Sequence, residues 1–199
     1  MLYKLLMEKT ISQIEKATKS KASNLEVLSE LIKLRLTALV LITTLVGFYA
    51  ALNNETGGLA DNLIKLGFTL LGTGLLAAGA AILNQYLERE YDARMNRTAE
   101  RPLPSGLVGA EAALLLGGAF SVFGLLTLSA WSNLLVAVLG AVTLVTYIFV
   151  YTPLKRKSEW NTIIGAIPGA LPPLMGWAAA RGEVDPLGWT LFGILFFWQ

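Results

Sequence analysis

The chain has 199 residues, of which 54% are hydrophobic and 15% charged, and its formal net charge at pH 7 is +2. This composition is typical of an integral membrane protein. Cysteine and histidine are absent, which excludes disulfides, thiolate nucleophiles and histidine bases within these residues. No phosphate-loop motif of the G-x-x-x-x-G-K type and no G-x-S-x-G motif occurs, and no pattern indicates nucleic-acid binding.

The N-terminal segment, residues 1–30, carries five lysines and four glutamates among scattered apolar residues. It is predicted to be a cytoplasmic tail. The alternative is an interfacial helix lying on the membrane surface, with one apolar face formed by Leu2, Leu5, Leu6, Ile11 and Ile14. Residues 31–199 are predicted to form a separate transmembrane domain.

Apolar segments in residues 31–199 predict an all-α polytopic membrane protein with five transmembrane helices and part of a sixth. The five lie at about 36–52, 62–86, 108–128, 134–150 and 160–180, and the sixth runs from 189 to 199. Four glycines in the second span predict a closely packed helix. The eleven residues of the sixth segment rise only ~16 Å, about half of a ~30 Å hydrocarbon core. We therefore expect a chain truncated on its C-terminal side.

Three prolines lie in the fifth span, Pro168, Pro172 and Pro173. Proline removes backbone hydrogen bonds, which is tolerated at membrane depth only beside other helices or a cavity. The pattern predicts a broken helix that lines a cavity, and a simple packing kink is the alternative.

Lysine and arginine are unevenly distributed between the predicted loops. Fourteen of the sixteen lie in three places: before the first span, after the second span and after the fourth. By the positive-inside rule, the N-terminus and both loops face the cytoplasm of a cell membrane. Two loops on one side could form a single site.

The residues at the end of the second span form a regular polar pattern, with Asn84, Glu88 and Asp92 at i, i+4 and i+8. On a continuous helix, each step of four residues advances by ~40° around the axis and ~6 Å along it. Two carboxylates and a carboxamide on one face suit Mg²⁺. The alternative is a solvated helix end with i to i+4 ion pairs.

We call Asn84, Glu88 and Asp92 the ladder. It is followed by Arg94, Arg97 and Arg101, whose guanidinium groups suit phosphate oxygens. The combination predicts a metal–diphosphate site. The proline-rich segment 101–106 is expected to halt the helix and stiffen the loop. Three other polar residues of this stretch are expected to be solvated: Gln85, Asn96 and Ser105.

The motif N-x-x-x-E-x-x-x-D over residues 84–92, followed by Arg97-Thr98 and R-P-L at 101–103, resembles the first Asp-rich motif of the UbiA superfamily of intramembrane prenyltransferases. Tyr151-x-x-x-Lys155 matches the Y-x-x-x-K motif of the same family. Residues 161–177 resemble the branch that farnesylates protohaem IX. The resemblance covers about residues 33–199.

The resemblance implies a nine-helix barrel around a cavity, of which this chain supplies five helices and part of a sixth. It implies Mg²⁺-dependent transfer of a farnesyl group from farnesyl diphosphate to a vinyl group of protohaem IX. Asn84, Glu88 and Asp92 would hold the metal. The diphosphate would be bound by Arg94, Arg97, Arg101, Tyr151 and Lys155. The family's second Asp-rich motif would follow residue 199, so the 199-residue piece alone is expected to be inactive.

Two other functions remain open at this point. One is a UbiA-type prenyltransferase with an aromatic or chlorin acceptor. The other is a membrane transporter, since broken helices and glycine-rich spans also occur in transporters. Transporter sites lie near the bilayer midplane, whereas the ionisable residues here lie at the ends of the spans, which favours the prenyltransferase.

Overall fold

The computed structural model describes residues 23–53, 58–155 and 158–199, and these residues form helices and turns with no strand. The all-α class is therefore confirmed. A π-helical segment, Thr146–Tyr151, joins the fifth helix to the sixth. The helices are α1 (Asn24–Leu31), α2 (Leu34–Ala51), α3 (Leu59–Asp92), α4 (Ala110–Trp131), α5 (Leu134–Val145), α6 (Thr152–Leu154), α7 (Asn161–Arg181) and α8 (Pro186–Trp198).

Five helical stretches are long and apolar enough to cross a membrane: Leu34–Ala51, Leu59–Asp92, Ala110–Ser132, Leu134–Leu154 and Asn161–Arg181. The shorter apolar helix α8 follows them, with its first turn capped by the Asp185 side chain and started by Pro186. These elements confirm the predicted five spans and the additional apolar segment.

Helix α7 is the central element of the fold. In its most apolar stretch 72% of the residues are buried, compared with 44% in α3. The prediction of a broken helix is wrong, because α7 is continuous from Asn161 to Arg181 with three prolines inside it. Helix α2 lies so close that a Cβ at Gly176 would be 2.0 Å from the Thr44 carbonyl oxygen. A helix that contains prolines can persist at membrane depth where neighbouring helices pack this closely around it.

Residues 1–22 lie outside the described residues, so both interpretations of the tail, and the domain division at residue 30, stay predictions. Helix α1 begins with a capping box in which Ser23 and Glu26 satisfy each other's backbone N–H groups. Its last residue, Leu31, packs into a small core with Ile82 of α3 and Leu103. This contact places the start of α2 beside the polar end of α3.

Candidate functional site at the end of α3

Helix α3 continues through the whole predicted ladder and ends at Asp92. Asn84, Glu88 and Asp92 are only 1%, 3% and 2% exposed. A solvated helix end would leave such side chains in water, so that alternative does not describe this structure. Three polar side chains on one buried face need partners, because an unpaired buried carboxylate is costly.

Each of the three ladder residues is contacted by a cation from a different part of the chain. The Lys33 ammonium donates to Asn84 Oδ1 at 2.7 Å. Lys155 Nζ lies 2.5 Å from Glu88 Oε1, and Arg101 Nη1 donates to Asp92 Oδ2 at 2.6 Å. The two loops predicted to form a single site therefore meet along α3, together with the α1–α2 connection.

The segment that follows Asp92 folds back onto the helix end. Thr98, itself 2% exposed, donates from its hydroxyl to the Asp92 carbonyl oxygen at 2.9 Å. Turns then continue to residue 108. The prediction that residues 101–106 halt the helix is wrong, since α3 has ended nine residues before Arg101. The turns instead bring Arg101 back to Asp92.

The Y-x-x-x-K motif lies at the π-helical segment that continues α5. Thr152 Oγ1 donates to the Tyr147 carbonyl oxygen, five residues earlier, at 2.7 Å. Thr152 Oγ1 also accepts a hydrogen bond from Asn84 Nδ2 at 3.1 Å. π-Helical turns are frequent at functional sites. Here the turn locks the Asn84 amide in one orientation, with its oxygen toward Lys33.

Tyr151 lies next to the Lys155 ion pair. Its ring stacks on Tyr147, with centroids 5.6 Å apart, and the Lys155 ammonium is 5.9 Å from the Tyr151 ring centroid. A Cβ at Gly165 of α7 would lie 2.7 Å from the same ring. The glycine therefore leaves room for the tyrosine, and both predicted motif residues are part of the cluster.

The electrostatics of the cluster favour an added anion. Three cations, Lys33, Arg101 and Lys155, face two carboxylates, so one positive charge is in excess. Burial, and next to it the nearby Arg101 charge, lower the pKa of the Lys33 ammonium to about 8. Within the described residues no group of three or more His, Cys, Asp or Glu could hold a metal. A metal here would have two carboxylates and one amide as protein ligands.

The other two predicted arginines lie outside this cluster. Arg94 and Arg97 are exposed in the turns after α3, whereas Arg101 is partly buried. The arginine that pairs with Asp92 is therefore not the one nearest to it in sequence.

A cavity of about 730 Å³ lies beside the cluster, among the apolar helices, and shares Tyr151 with it. Ala80 and Ala81 line it one turn before Asn84, and Tyr151 lines it from the other side. Gly165 and Pro168 of α7 complete this part of the wall. The prediction that the proline-rich span lines a cavity is confirmed. The walls are mostly apolar, so the space suits a hydrocarbon chain.

Three residues of the site were not predicted: Lys33, Thr152 and Gln85. Gln85 was expected to be solvated, which is wrong, because it is 1% exposed. Its side chain donates to the carbonyl oxygens of Glu30 and Leu31 at 3.1 and 2.7 Å. No spacing rule links Lys33 to Asn84, 51 residues later. For Thr152 the signal was its position directly after Tyr151.

Comparison with known proteins gives a consistent result. Residues 40–199 match the UbiA prenyltransferase family. Over 174 residues the chain is 48% identical to a protoheme IX farnesyltransferase of Solibacter usitatus, covering 85% of this chain and 60% of that protein. It is 46% identical over 170 residues to the enzyme of the same name from Opitutus terrae, covering 85% of this chain and 56% of that protein.

The chain thus spans about 60% or less of the length of these two curated relatives. No solved structure gives a significant match to it. The family match covers most of the chain, and it includes the ladder, the Y-x-x-x-K motif and the cavity-lining helix α7. The chain therefore belongs to the UbiA prenyltransferase family and is an integral membrane protein.

Proposed function

We propose that the full-length protein transfers a farnesyl group from farnesyl diphosphate to a vinyl group of protohaem IX, releasing diphosphate. One observation carries the proposal: three buried polar side chains of α3, each contacted by a cation, lie one helical turn beyond residues that line an apolar cavity. An isoprenoid diphosphate has the same division into a charged end and a hydrocarbon chain. The names of the relatives supply the acceptor and the prenyl group.

The donor set of the ladder fits Mg²⁺, which prefers carboxylate and amide oxygens. We propose that Asn84, Glu88 and Asp92 hold it; UbiA prenyltransferases generally bind the diphosphate through a divalent metal. Bound Mg²⁺ would neutralise charge on the diphosphate as the C–O bond breaks. Arg101 and Lys155 now pair with Asp92 and Glu88. When the metal takes the two carboxylates, both cations would become available to bind the phosphate oxygens.

Charge stabilisation is the main task of such a site, because cleavage of the allylic C–O bond leaves a delocalised carbocation and a diphosphate. Lys155 and Arg101 stabilise the leaving group. The cavity wall, including Tyr151, keeps water away from the farnesyl carbocation until the vinyl group attacks. The new C–C bond leaves a cation on the former vinyl group, which water then captures with loss of a proton to give the hydrated adduct. The exposed Arg94 and Arg97 attract the anionic substrate from the surface. By the distribution of basic residues, this mouth faces the cytoplasm of the cell membrane.

The test uses the full-length gene product with farnesyl diphosphate, protohaem IX and Mg²⁺, and follows the product by mass spectrometry. We expect a haem adduct carrying a hydrated farnesyl group, dependent on the divalent metal. Asp92→Ala should abolish the adduct. Glu90→Ala, which removes an exposed carboxylate from the same helix, should not.

Two outcomes would contradict the proposal. Diphosphate release with an aromatic or chlorin acceptor, and none with protohaem, would mean that the protein is a prenyltransferase with a different acceptor. Full activity of Asp92→Ala would remove the ladder from the mechanism.

A further inference from the structure

The connection between α1 and α2 has an unusual backbone conformation at Lys33. Its φ is 49°, and it is the one non-glycine residue with positive φ in the described part of the chain. This left-handed conformation is disfavoured for a side chain such as lysine, and it persists only where surrounding contacts hold it. The contacts around Lys33 therefore need an explanation.

Gln85 supplies those contacts from α3. Its amide donates to the Glu30 and Leu31 carbonyl oxygens at the end of α1, and Leu31 is buried against Ile82. The end of α1 is thereby attached to the helix that carries the ladder, one residue after Asn84. The turn then directs the Lys33 ammonium to Asn84 Oδ1 at 2.7 Å.

The partner of Lys33 is a neutral amide, whereas Lys155 and Arg101 each pair with a carboxylate. Lys33 is thus the cation that carries the excess positive charge of the cluster. An ammonium has three donors, and among the described residues Asn84 is the hydrogen-bond acceptor that it contacts. Thr37, one turn further along α2, already lines the cavity. Lys33 therefore lies one turn before the cavity wall, and its ammonium has donors beyond the one that it gives to Asn84.

We propose that Lys33 is a third cationic ligand of the prenyl diphosphate, and that Gln85 is the positioning residue that holds it there. The proposal rests on the proposed prenyltransferase function and assigns a role to residues outside both sequence motifs.

The experiment measures equilibrium binding of radiolabelled inorganic diphosphate, with Mg²⁺, to the full-length protein in lipid nanodiscs. Lys33→Asn removes the charge and places at this position a residue type that tolerates the left-handed conformation. We expect its affinity for diphosphate to fall roughly tenfold or more, as for the loss of a charge-assisted hydrogen bond. Lys33→Arg should restore most of it. Arg35→Met, which removes an exposed charge at the same surface, should bind as the wild type does.

Kinetics separate a ligand role from a structural one. Lys33→Asn should raise KM for farnesyl diphosphate and leave KM for protohaem unchanged. Wild-type diphosphate affinity in both Lys33→Asn and Lys33→Met would overturn the assignment. A loss in Arg35→Met equal to that in Lys33→Asn would also overturn it, because the effect would then come from surface charge.

Gln85→Met tests the positioning role, because it keeps the side-chain length and removes both amide donors. It should weaken diphosphate binding less than Lys33→Asn does. The double variant Lys33→Asn/Gln85→Met should bind no more weakly than Lys33→Asn alone, since Gln85 acts through Lys33. An additional, independent loss in the double variant would contradict the positioning role.

The proposed function and this assignment can fail separately. A wild-type protein that makes no haem adduct, but binds diphosphate in a Lys33-dependent manner, would lose its proposed acceptor and keep this assignment. A wild-type protein that makes the adduct, with Lys33→Asn equal to it in binding and KM, would lose the assignment alone.

Discussion

The two halves of α3 bury their side chains in different ways. In the first half, Gly72 faces α4 so closely that a Cβ there would lie 2.8 Å from the Leu128 side chain and 3.1 Å from the Gly124 carbonyl oxygen. In the second half, Asn84, Glu88 and Asp92 are equally buried, but their neighbours are the flexible ends of lysine and arginine side chains. The first half has no room for even a methyl group at Gly72, and the second contains ion-paired side chains.

The difference follows from the solvent around each half. In lipid, an apolar side chain gains little by exchanging lipid for another helix, so association depends on close backbone packing between small residues. Near the membrane surface, ion pairs can form and be replaced by a ligand without moving a helix. The first half of α3 therefore provides rigidity, and the second holds the ion pairs that, in the proposed function, are exchanged for a ligand.

The largest expected effect is on catalysis in the second half. Glu88→Gln keeps the shape of the side chain and removes its charge, so kcat should fall by about 10²–10³, the usual loss for one group that stabilises a transition state. The measurement is steady-state turnover of farnesyl diphosphate by the full-length protein. Glu90→Gln, at an exposed position of the same helix, is the control. Equal activities in the two variants would show that the ladder carries no catalytic charge.

The rigid half should respond in stability. A Cβ at Gly124 would lie 2.8 Å from both Gly72 O and Leu76 N, which are backbone atoms that cannot rotate away. Gly124→Ala should therefore cost about 1–3 kcal/mol of unfolding free energy, measured by denaturant titration in detergent. Gly118→Ala lies on the same helix with nothing within 4 Å of its Cβ and should be neutral or slightly stabilising. A tolerated Gly124→Ala would contradict the rigid packing of α3 on α4.

Thr152 joins the polar half of α3 to the π-helical segment. Thr152→Val removes the hydroxyl that accepts from Asn84 and donates to Tyr147 O, leaving two buried polar groups without this partner. The expected cost is about 1–2 kcal/mol of stability, with a several-fold rise in KM for farnesyl diphosphate as the Asn84 amide becomes free to rotate. Thr152→Ser should restore both values. If serine fails to do so, the methyl group rather than the hydroxyl is what the site needs.

The smallest effect is expected at the exposed arginines. Arg94→Gln and Arg97→Gln should each change KM for farnesyl diphosphate by no more than about twofold at physiological salt, because exposed charges are screened over about 8 Å. The effect should shrink further as salt is raised. Arg101→Gln, which breaks the pair with Asp92, provides the comparison. A loss in Arg97→Gln as large as in Arg101→Gln would place Arg97 on the diphosphate itself.

Hydrophobicity and spacing predicted much of this molecule. The five spans, the helical ladder at Asn84, Glu88 and Asp92, and the cavity beside the proline-rich span depend on local composition and helical periodicity, which a sequence displays directly. The errors share one cause. Each error concerns a feature that depends on contacts with a segment distant in sequence. These features are the continuity of α7, the end of α3 at Asp92 and the burial of Gln85.

The sequence by itself determined the class of protein and the face of α3 that carries Asn84, Glu88 and Asp92, because apolar length and a spacing of four residues are local properties. Only the tertiary structure decided which cations reach that face. Lys33, Arg101 and Lys155 come from three separate segments, whereas Arg94 and Arg97, closer along the chain, are exposed. Packing of α1 on α3 and the π-helical turn after α5 bring the distant cations in, and no pattern within one segment encodes a contact between segments.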